Sequence, residues 1–270
     1  MIRITLTLLA TLLLASCSSV ENIAYFQDVK STNRYMNDTL NTTFEAKIKP
    51  KDLLSITVVS TEPEASRIYN LITPQLQSQT MSLGTQLFTQ PALQSYLVDK
   101  DGNINFPVFG QIHVKDMTKK DLELYILDKL KPAFTKELPI VTIRINNYSI
   151  NVLGEVNAPG RYLTDNESVT IFQGLALARD MTIYGKRNNV KVLREDSDGN
   201  KTFYTLNLND KNIIHSPAYF LEQNDVVYVE PNKSMANSSK YGAAESFRIS
   251  SISVLISLAT MAVTIFSATR

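Results

Sequence analysis

From Ile249 to Ala268 the chain carries no charged residue, no proline and no glycine, and Arg248 and Arg270 bracket the run. At about 1.5 Å per residue, roughly 20 helical residues reach about 30 Å, the thickness of a bilayer core. This segment restricts the fold more than any other, and it predicts a transmembrane helix over 249–268. The competing reading is a buried hairpin partner in a soluble core. Inside the run, Ser250, Ser253, Ser257, Thr260, Thr264 and Ser267 recur at spacings of three and four. On a helical wheel they fill an arc of about 100°, and Ile252, Leu255, Ile256, Ala259, Val263 and Phe266 lie opposite. Two readings of that stripe stay open. Each hydroxyl bonds back to the preceding turn while small residues let a neighbouring helix approach, or the stripe lines water. One helix encloses nothing, so the second reading needs several copies side by side. Both predict oligomerisation.

The other end is equally directive. Arg3 precedes an almost wholly apolar run, Ile4 to Ala15, too short to span a bilayer and closed by small residues, which reads as a signal peptide over 1–16. Leu13-Leu14-Ala15-Ser16-Cys17 resembles the bacterial lipobox. Cleavage between Ser16 and Cys17 would leave Cys17 to carry acyl chains, each buried methylene contributing about 0.8 kcal/mol of membrane attachment. The alternative is an ordinary secretory signal with an incidental cysteine. Cys17 is the only cysteine, so no internal disulfide supports the fold. Ser18, rather than Asp, follows it, and by resemblance to sorted lipoproteins this favours the outer membrane, with the main body in the periplasm.

Between the ends, 27 basic and 26 acidic residues are interspersed and the net charge is +1. That balance lacks the one-sided basic field a nucleic-acid binder uses. Catalytic material is sparse: there is no tryptophan, and His113 and His215 have no Ser, Cys or acidic companion at a recognisable spacing. Glu62 and Glu64 around Pro63 read as a solvated loop. Asp99-Lys100-Asp101-Gly102-Asn103 invites a calcium reading but lacks the glycine at the sixth loop position and the glutamate at the twelfth, where Gly110 stands. It reads instead as a hairpin turn between Tyr96–Val98 and Ile104–Val108. Gly154 to Gly160 lacks dinucleotide-loop spacing, and Glu155 would repel a phosphate. No enzyme, cofactor or metal is expected.

The middle of the chain divides in order. Residues 17–43 are polar and read as a lipidated tether. After Ile48-Lys49-Pro50-Lys51-Asp52, a turn, Leu54, Ile56 and Val58 alternate as a half-buried strand. Residues 60–95, rich in Gln, Ser and Thr, read as a long loop or insertion. Thr118 with Asp121 opens a helix whose stripe is Leu122, Tyr125, Ile126 and Leu130, and Val141, Ile143 and Ile145 form a strand. This gives an α+β domain over 44–147. A second unit over 148–231 has a strand to Leu153, a capped helix from Thr170 to Ala178 with Ile171, Leu175 and Ala178 inward, strands at Val190–Arg194 and Thr202–Leu206, and a closing strand Val226–Val229. A short helix across a small mixed sheet is β-grasp-like. Residues 232–248 read as a linker.

Three ordered stretches now carry a resemblance. Ile48-Lys49-Pro50-Lys51-Asp52-Leu53-Leu54-Ser55-Ile56, Asp101-Gly102-Asn103-Ile104-Asn105-Phe106-Pro107-Val108-Phe109-Gly110, and Val152-Leu153-Gly154-Glu155-Val156 with Pro159-Gly160 resemble the polysaccharide export family of outer-membrane lipoproteins. The first two resemble its export domain and the third the opening of its SLBB domain, with Asn224-Asp225-Val226-Val227-Tyr228-Val229 as the closing strand. The resemblance implies a homo-oligomeric ring, usually of eight, that passes capsular polysaccharide or exopolysaccharide through a barrel of C-terminal helices in the outer-membrane lipid. It also implies an inner-membrane copolymerase, often a tyrosine autokinase, beneath. It favours the water-lined reading of the hydroxyl stripe. Larger members carry two SLBB copies, whereas this chain has room for one. The alternative function is a lipid-anchored periplasmic β-grasp module that binds a soluble ligand, with the terminal helix as a plain anchor.

Overall fold

The computed structural model describes residues 23–29, 44–81 and 84–238, together with 250, 251, 253, 254, 256–258, 260, 261 and 265; for 74–81 and 84–91 only the backbone is described. The fold mixes helices and strands around two hydrophobic cores.

In the first unit the order is β1 (Leu53–Val59), α1 (Pro63–Arg67), β2 (Ile72–Met81), β3 (Gly84–Leu93), β4 (Ser95–Leu97), β5 (Asn103–Phe106), β6 (Gly110–His113), α2 (Lys119–Leu130) and β7 (Ile140–Ile145). Strand β1 lies between β4 and β7, antiparallel to both. Its alternation is strict: Leu54, Ile56 and Val58 are buried and their neighbours are not. Helix α2 starts at a complete capping box, in which Thr118 Oγ1 accepts from the Asp121 N–H and the Asp121 carboxylate accepts from the Thr118 N–H. It buries Leu122, Ile126 and Leu130 in the same core, while Tyr125, expected on that stripe, is exposed. Burying three such side chains contributes roughly 1.5–3 kcal/mol each.

The second unit runs β8 (Ser149–Gly154), β9 (Gly160–Leu163), β10 (Val169–Thr170), α3 (Ile171–Leu177), β11 (Gly185–Glu195), β12 (Lys201–Leu206), a 3-10 turn (Lys211–His215), β13 (Phe220–Leu221), β14 (Val226–Pro231) and α4 (Lys233–Ser238). Its sheet order is β12-β11-β14-β8-β9, antiparallel throughout except for the parallel pair β14–β8. Helix α3 also opens on a capping box, Thr170 with Gln173, and packs Ile171, Leu175 and the following Ala178 among Ile150, Val152, Val190 and Val227. Gly154 is required where the parallel strands meet. Its φ is +90°, and an added Cβ would lie 2.1 Å from the Val229 carbonyl oxygen.

Three expectations need correction. The stretch 60–95 is no loop: it holds α1 and the β2–β3 hairpin, ten residues per strand. Its alternation is hidden because glutamine, serine and threonine fill most positions and a proline, Pro74 or Pro91, stands within each strand. Within the tether, residues 23–29 dock on the second unit. The Phe26 and Gln27 N–H groups donate to the Leu208 and Asn209 carbonyls at 3.2 and 2.8 Å, and the rings of Tyr25 and Phe26 lie 5.6 and 4.8 Å from Phe172. Two aromatic rings supply apolar area that the surrounding polar composition conceals. The linker contains a short helix, α4, starting at Lys233. The span expected over 249–268 lies in large part outside the described residues, and among those no helix is long and apolar enough to cross a membrane.

Candidate functional site

Ser250, Ser251, Ser253, Val254, Ile256, Ser257, Leu258, Thr260, Met261 and Ile265 are helical. Three hydroxyls in this helix bond locally. Ser253 Oγ donates to the Ser250 carbonyl at 2.8 Å, Ser257 Oγ to Ser253 at 2.9 Å, and Thr260 Oγ1 to Ile256 and Ser257 at 3.0 and 2.8 Å. The geometry therefore places Ser250, Ser253, Ser257 and Thr260 on successive turns, with the protons of Ser253, Ser257 and Thr260 committed to the backbone. Each oxygen keeps lone pairs, so the face these residues present accepts hydrogen bonds more readily than it donates them. Val254, Ile256 and Leu258 are exposed. Thr264 and Ser267 lie outside the described residues, as do Ser16 and Cys17 at the other end of the chain.

A second cluster sits where the two units meet, and two copies of one turn build it. In Lys49-Pro50-Lys51-Asp52 the third residue has φ +76°, and the Asp52 carboxylate accepts from the Lys49 N–H at 2.8 Å. In Glu222-Gln223-Asn224-Asp225 the third residue has φ +65°, and the Asp225 carboxylate accepts from the Glu222 N–H at 2.8 Å. Each turn launches a strand, β1 or β14. Each aspartate is fully buried. The first residues of the two turns join directly, Lys49 Nζ to Glu222 Oε2 at 2.8 Å. Behind them Arg194 reaches Glu222 Oε1 and Asp225 Oδ2, both at 2.7 Å, and donates to the Phe220 and Pro217 carbonyls.

The surroundings of the two carboxylates differ. Burial pushes Asp225 up, and the Arg194 guanidinium with the Glu222 N–H pulls it back. Asp52 has no such cation against it. Burial pushes it up to about 6, against the Lys49 N–H and the more distant Lys49 charge, with Glu167 adding to the rise. Its Oδ1 has no hydrogen-bond partner among the described residues.

Further contacts fix the junction. Gln223 accepts from the Ser149 N–H at 2.7 Å and donates to the Asn147 carbonyl at 2.9 Å, while Asn147 holds the Leu53 N–H and the Lys51 carbonyl. Tyr148 donates to the Leu221 carbonyl at 2.9 Å, and Phe44 stacks on Phe220 with centroids 5.0 Å apart. Two Asp-x-Asp-Gly-Asn hairpins repeat the pattern of duplication. Asp99 and Asp196 each accept from the N–H groups two and four residues on, and Lys115 beside the first hairpin pairs with Asp198 of the second at 2.6 Å. A groove of about 650 Å³ runs along this side, lined by Lys51, Lys100, Asp198, Lys201 and Asn224 among others. A second, of about 500 Å³, lies by Phe44, Lys119, Glu123 and Glu167.

The remaining candidate residues have local roles. Glu62 and Glu64 pair with Lys136 and with Arg67. His113 Nδ1 is 3.0 Å from Asn103 Oδ1 at the exposed end of the β5–β6 hairpin, and His215 ends the 3-10 turn. No group of three metal-ligating side chains occurs among the described residues. The duplicated turn was missed in the sequence because its shared feature is a buried aspartate three residues after a polar one, and the lead-in residues differ throughout.

Residues 41–146 match the family described as polysaccharide biosynthesis/export protein, a stretch that contains nearly all of the first core. The chain is 28% identical over 198 residues to the EPS I polysaccharide export outer membrane protein EpsA of Ralstonia solanacearum, covering 69% of this chain and 48% of that protein. It is 28% identical over 159 residues to the protein of the same name from Ralstonia nicotianae, covering 55% of this chain and 38% of that protein. The chain thus spans less than half the length of these relatives. What the comparisons show is a polysaccharide biosynthesis/export domain over residues 41–146, with relatives of 28% identity that bear the name of a polysaccharide export outer membrane protein.

Proposed function

We propose that this protein is an outer-membrane component of exopolysaccharide or capsule export. The observation that carries the reading is the match of the export-family domain to the unit built on the Lys49–Asp52 turn and strand β1. The naming of both relatives as outer membrane proteins supports the location. Deleting the gene in its host should abolish polysaccharide at the cell surface while its synthesis inside continues. Unchanged surface polysaccharide would overturn the reading.

Within it, the second unit is a single SLBB, β-grasp-like module, supported by the short helix on a mixed sheet. Cys17 is the acylated residue after cleavage at Ser16. Copies assemble as a ring, and the helices over 249–268 stand together across the outer membrane with Ser250, Ser253, Ser257, Thr260, Thr264 and Ser267 toward the lumen. The back-bonded hydroxyls support a weak, accepting lumen surface. A conduit needs weak contacts, since cargo must leave. An inner-membrane copolymerase, with or without tyrosine-kinase activity, lies beneath. Cysteines placed at Ser257 and Leu255, with the lipobox kept, give the test of the lumen face. Water-soluble thiol reagents should label the first and spare the second, and equal labelling would refute the assignment.

A further inference from the structure

The β2–β3 hairpin has no place in this reading so far, and its backbone is unusual. The two strands pair over their whole length, Ile72↔Leu93 to Met81↔Gly84, and among the described residues neither joins another strand. At about 3.3 Å per residue each is about 33 Å long. An isolated two-stranded ribbon is at best marginally stable in water, and both outer edges here carry rows of open backbone donors and acceptors.

Soluble proteins protect such edges with charge, above all lysine. Here the opposite holds. From Ile68 to Val98 there is no Asp, Glu, Lys, Arg or His, although a charge content of 20% would place about six charged residues there. In copies joined β2 to β3 each strand recurs every second strand, about 9.5 Å away, so any charge would stand about one Debye length from its own counterpart all around the ring. A charge-free ribbon leaves both edges open to a second copy and repeats no like charge around a ring of copies. Glutamine suits such stacking, because each amide both donates and accepts, and Gln75↔Gln90 and Gln79↔Gln86 already stand opposite one another.

Two prolines fix the register of the open edges. Pro74 stands opposite Pro91. Neither has an N–H, so this cannot be one of the pairs that exchange two hydrogen bonds, and their backbone groups face the outer edges. By alternation the pairs Leu76↔Thr89, Ser78↔Leu87 and Thr80↔Thr85 also turn their N–H and C=O groups outward. The two edges then offer matched sets: positions 76, 78 and 80 on β2, and 85, 87 and 89 on β3.

We infer that the β2 edge of one copy pairs with the β3 edge of the next, so that the hairpins form a continuous β-collar around the ring. The inference rests on the ring assembly proposed above. A head-to-tail contact of this kind closes when its rotation allows.

Proline at Ser78 or at Leu87 removes one outward donor and leaves the hairpin's own ladder intact. Full-length lipoprotein in mild detergent should be a ring by native mass spectrometry, and Ser78→Pro and Leu87→Pro should each lower the ring fraction at least about tenfold. Mixed together, the two variants share one competent interface, an intact β3 edge against an intact β2 edge, and should yield heterodimers. Circular dichroism and urea midpoints matching the wild type would show that the variants are folded. If both variants form the wild-type ring, the collar is wrong and the export ring stands. If the wild type itself is monomeric, the collar falls together with the ring.

Discussion

The turns ending in Asp52 and Asp225 share one backbone shape and differ in what the buried carboxylate meets. Asp225 faces Arg194, which also holds Glu222 and two carbonyls. Asp52 faces a single backbone N–H with one oxygen left over. The second turn is thus an electrostatically closed unit, while the first borrows its stability from the strand and core it launches. The difference teaches that a turn geometry can be reused while its charge compensation is not. The Lys49–Glu222 bridge then ties the less compensated turn to the better compensated one, and with it the export-family unit to the second unit.

Substitutions can break this contrast. The largest effect is expected from Arg194→Met, which leaves Glu222 and Asp225 without their shared cation. Removing one partner of a buried pair costs about 3–5 kcal/mol, and the urea midpoint should fall accordingly. A fall of under about 1 kcal/mol would contradict the closed-unit description.

Next comes Asp52→Asn. The folded carboxyl is raised from 3.8 to about 6, so between these values the folded state binds more protons than the unfolded one. The associated stability is fully present below about pH 4 and is lost as pH rises through about 6. Stability of the wild type relative to the Asn variant should therefore rise by up to about 3 kcal/mol between pH 7 and pH 4. A flat difference across that range would contradict the assignment.

Lys49→Met should cost about 1 kcal/mol, since its ion pair is partly exposed at 13% and 28%. Limited proteolysis should show the two units separating more readily. The smallest effect distinguishes the left-handed positions. Lys51→Gly should raise the melting temperature by the equivalent of about 0.5–1 kcal/mol, and Asn224→Gly should change it little, because asparagine tolerates that conformation better than lysine.

Legibility followed local chemistry. Both capping boxes, at Thr118 and Thr170, were readable because the cap and its reciprocal partner lie three residues apart. The strand at Leu54–Val58 was readable because one face meets a core. The β2–β3 hairpin was not, since among the described residues its strands join no other strand, and composition there resembles a loop. Arg194 and Asp225 are 31 residues apart, and no local pattern announces a pair made by β11 meeting the β14 turn. Of the site residues, the spacing of Ser250, Ser253, Ser257 and Thr260 was visible, but the commitment of the last three residues' protons to carbonyls is a matter of side-chain geometry.

An export conduit of this kind requires copies of the chain to assemble around an opening large enough for a glycan. Single-particle electron microscopy of the full-length lipoprotein, extracted in mild detergent from its own membrane, tests that directly. The expected image is a closed ring of identical copies with a central hole; a population of monomers or closed globular particles would contradict it.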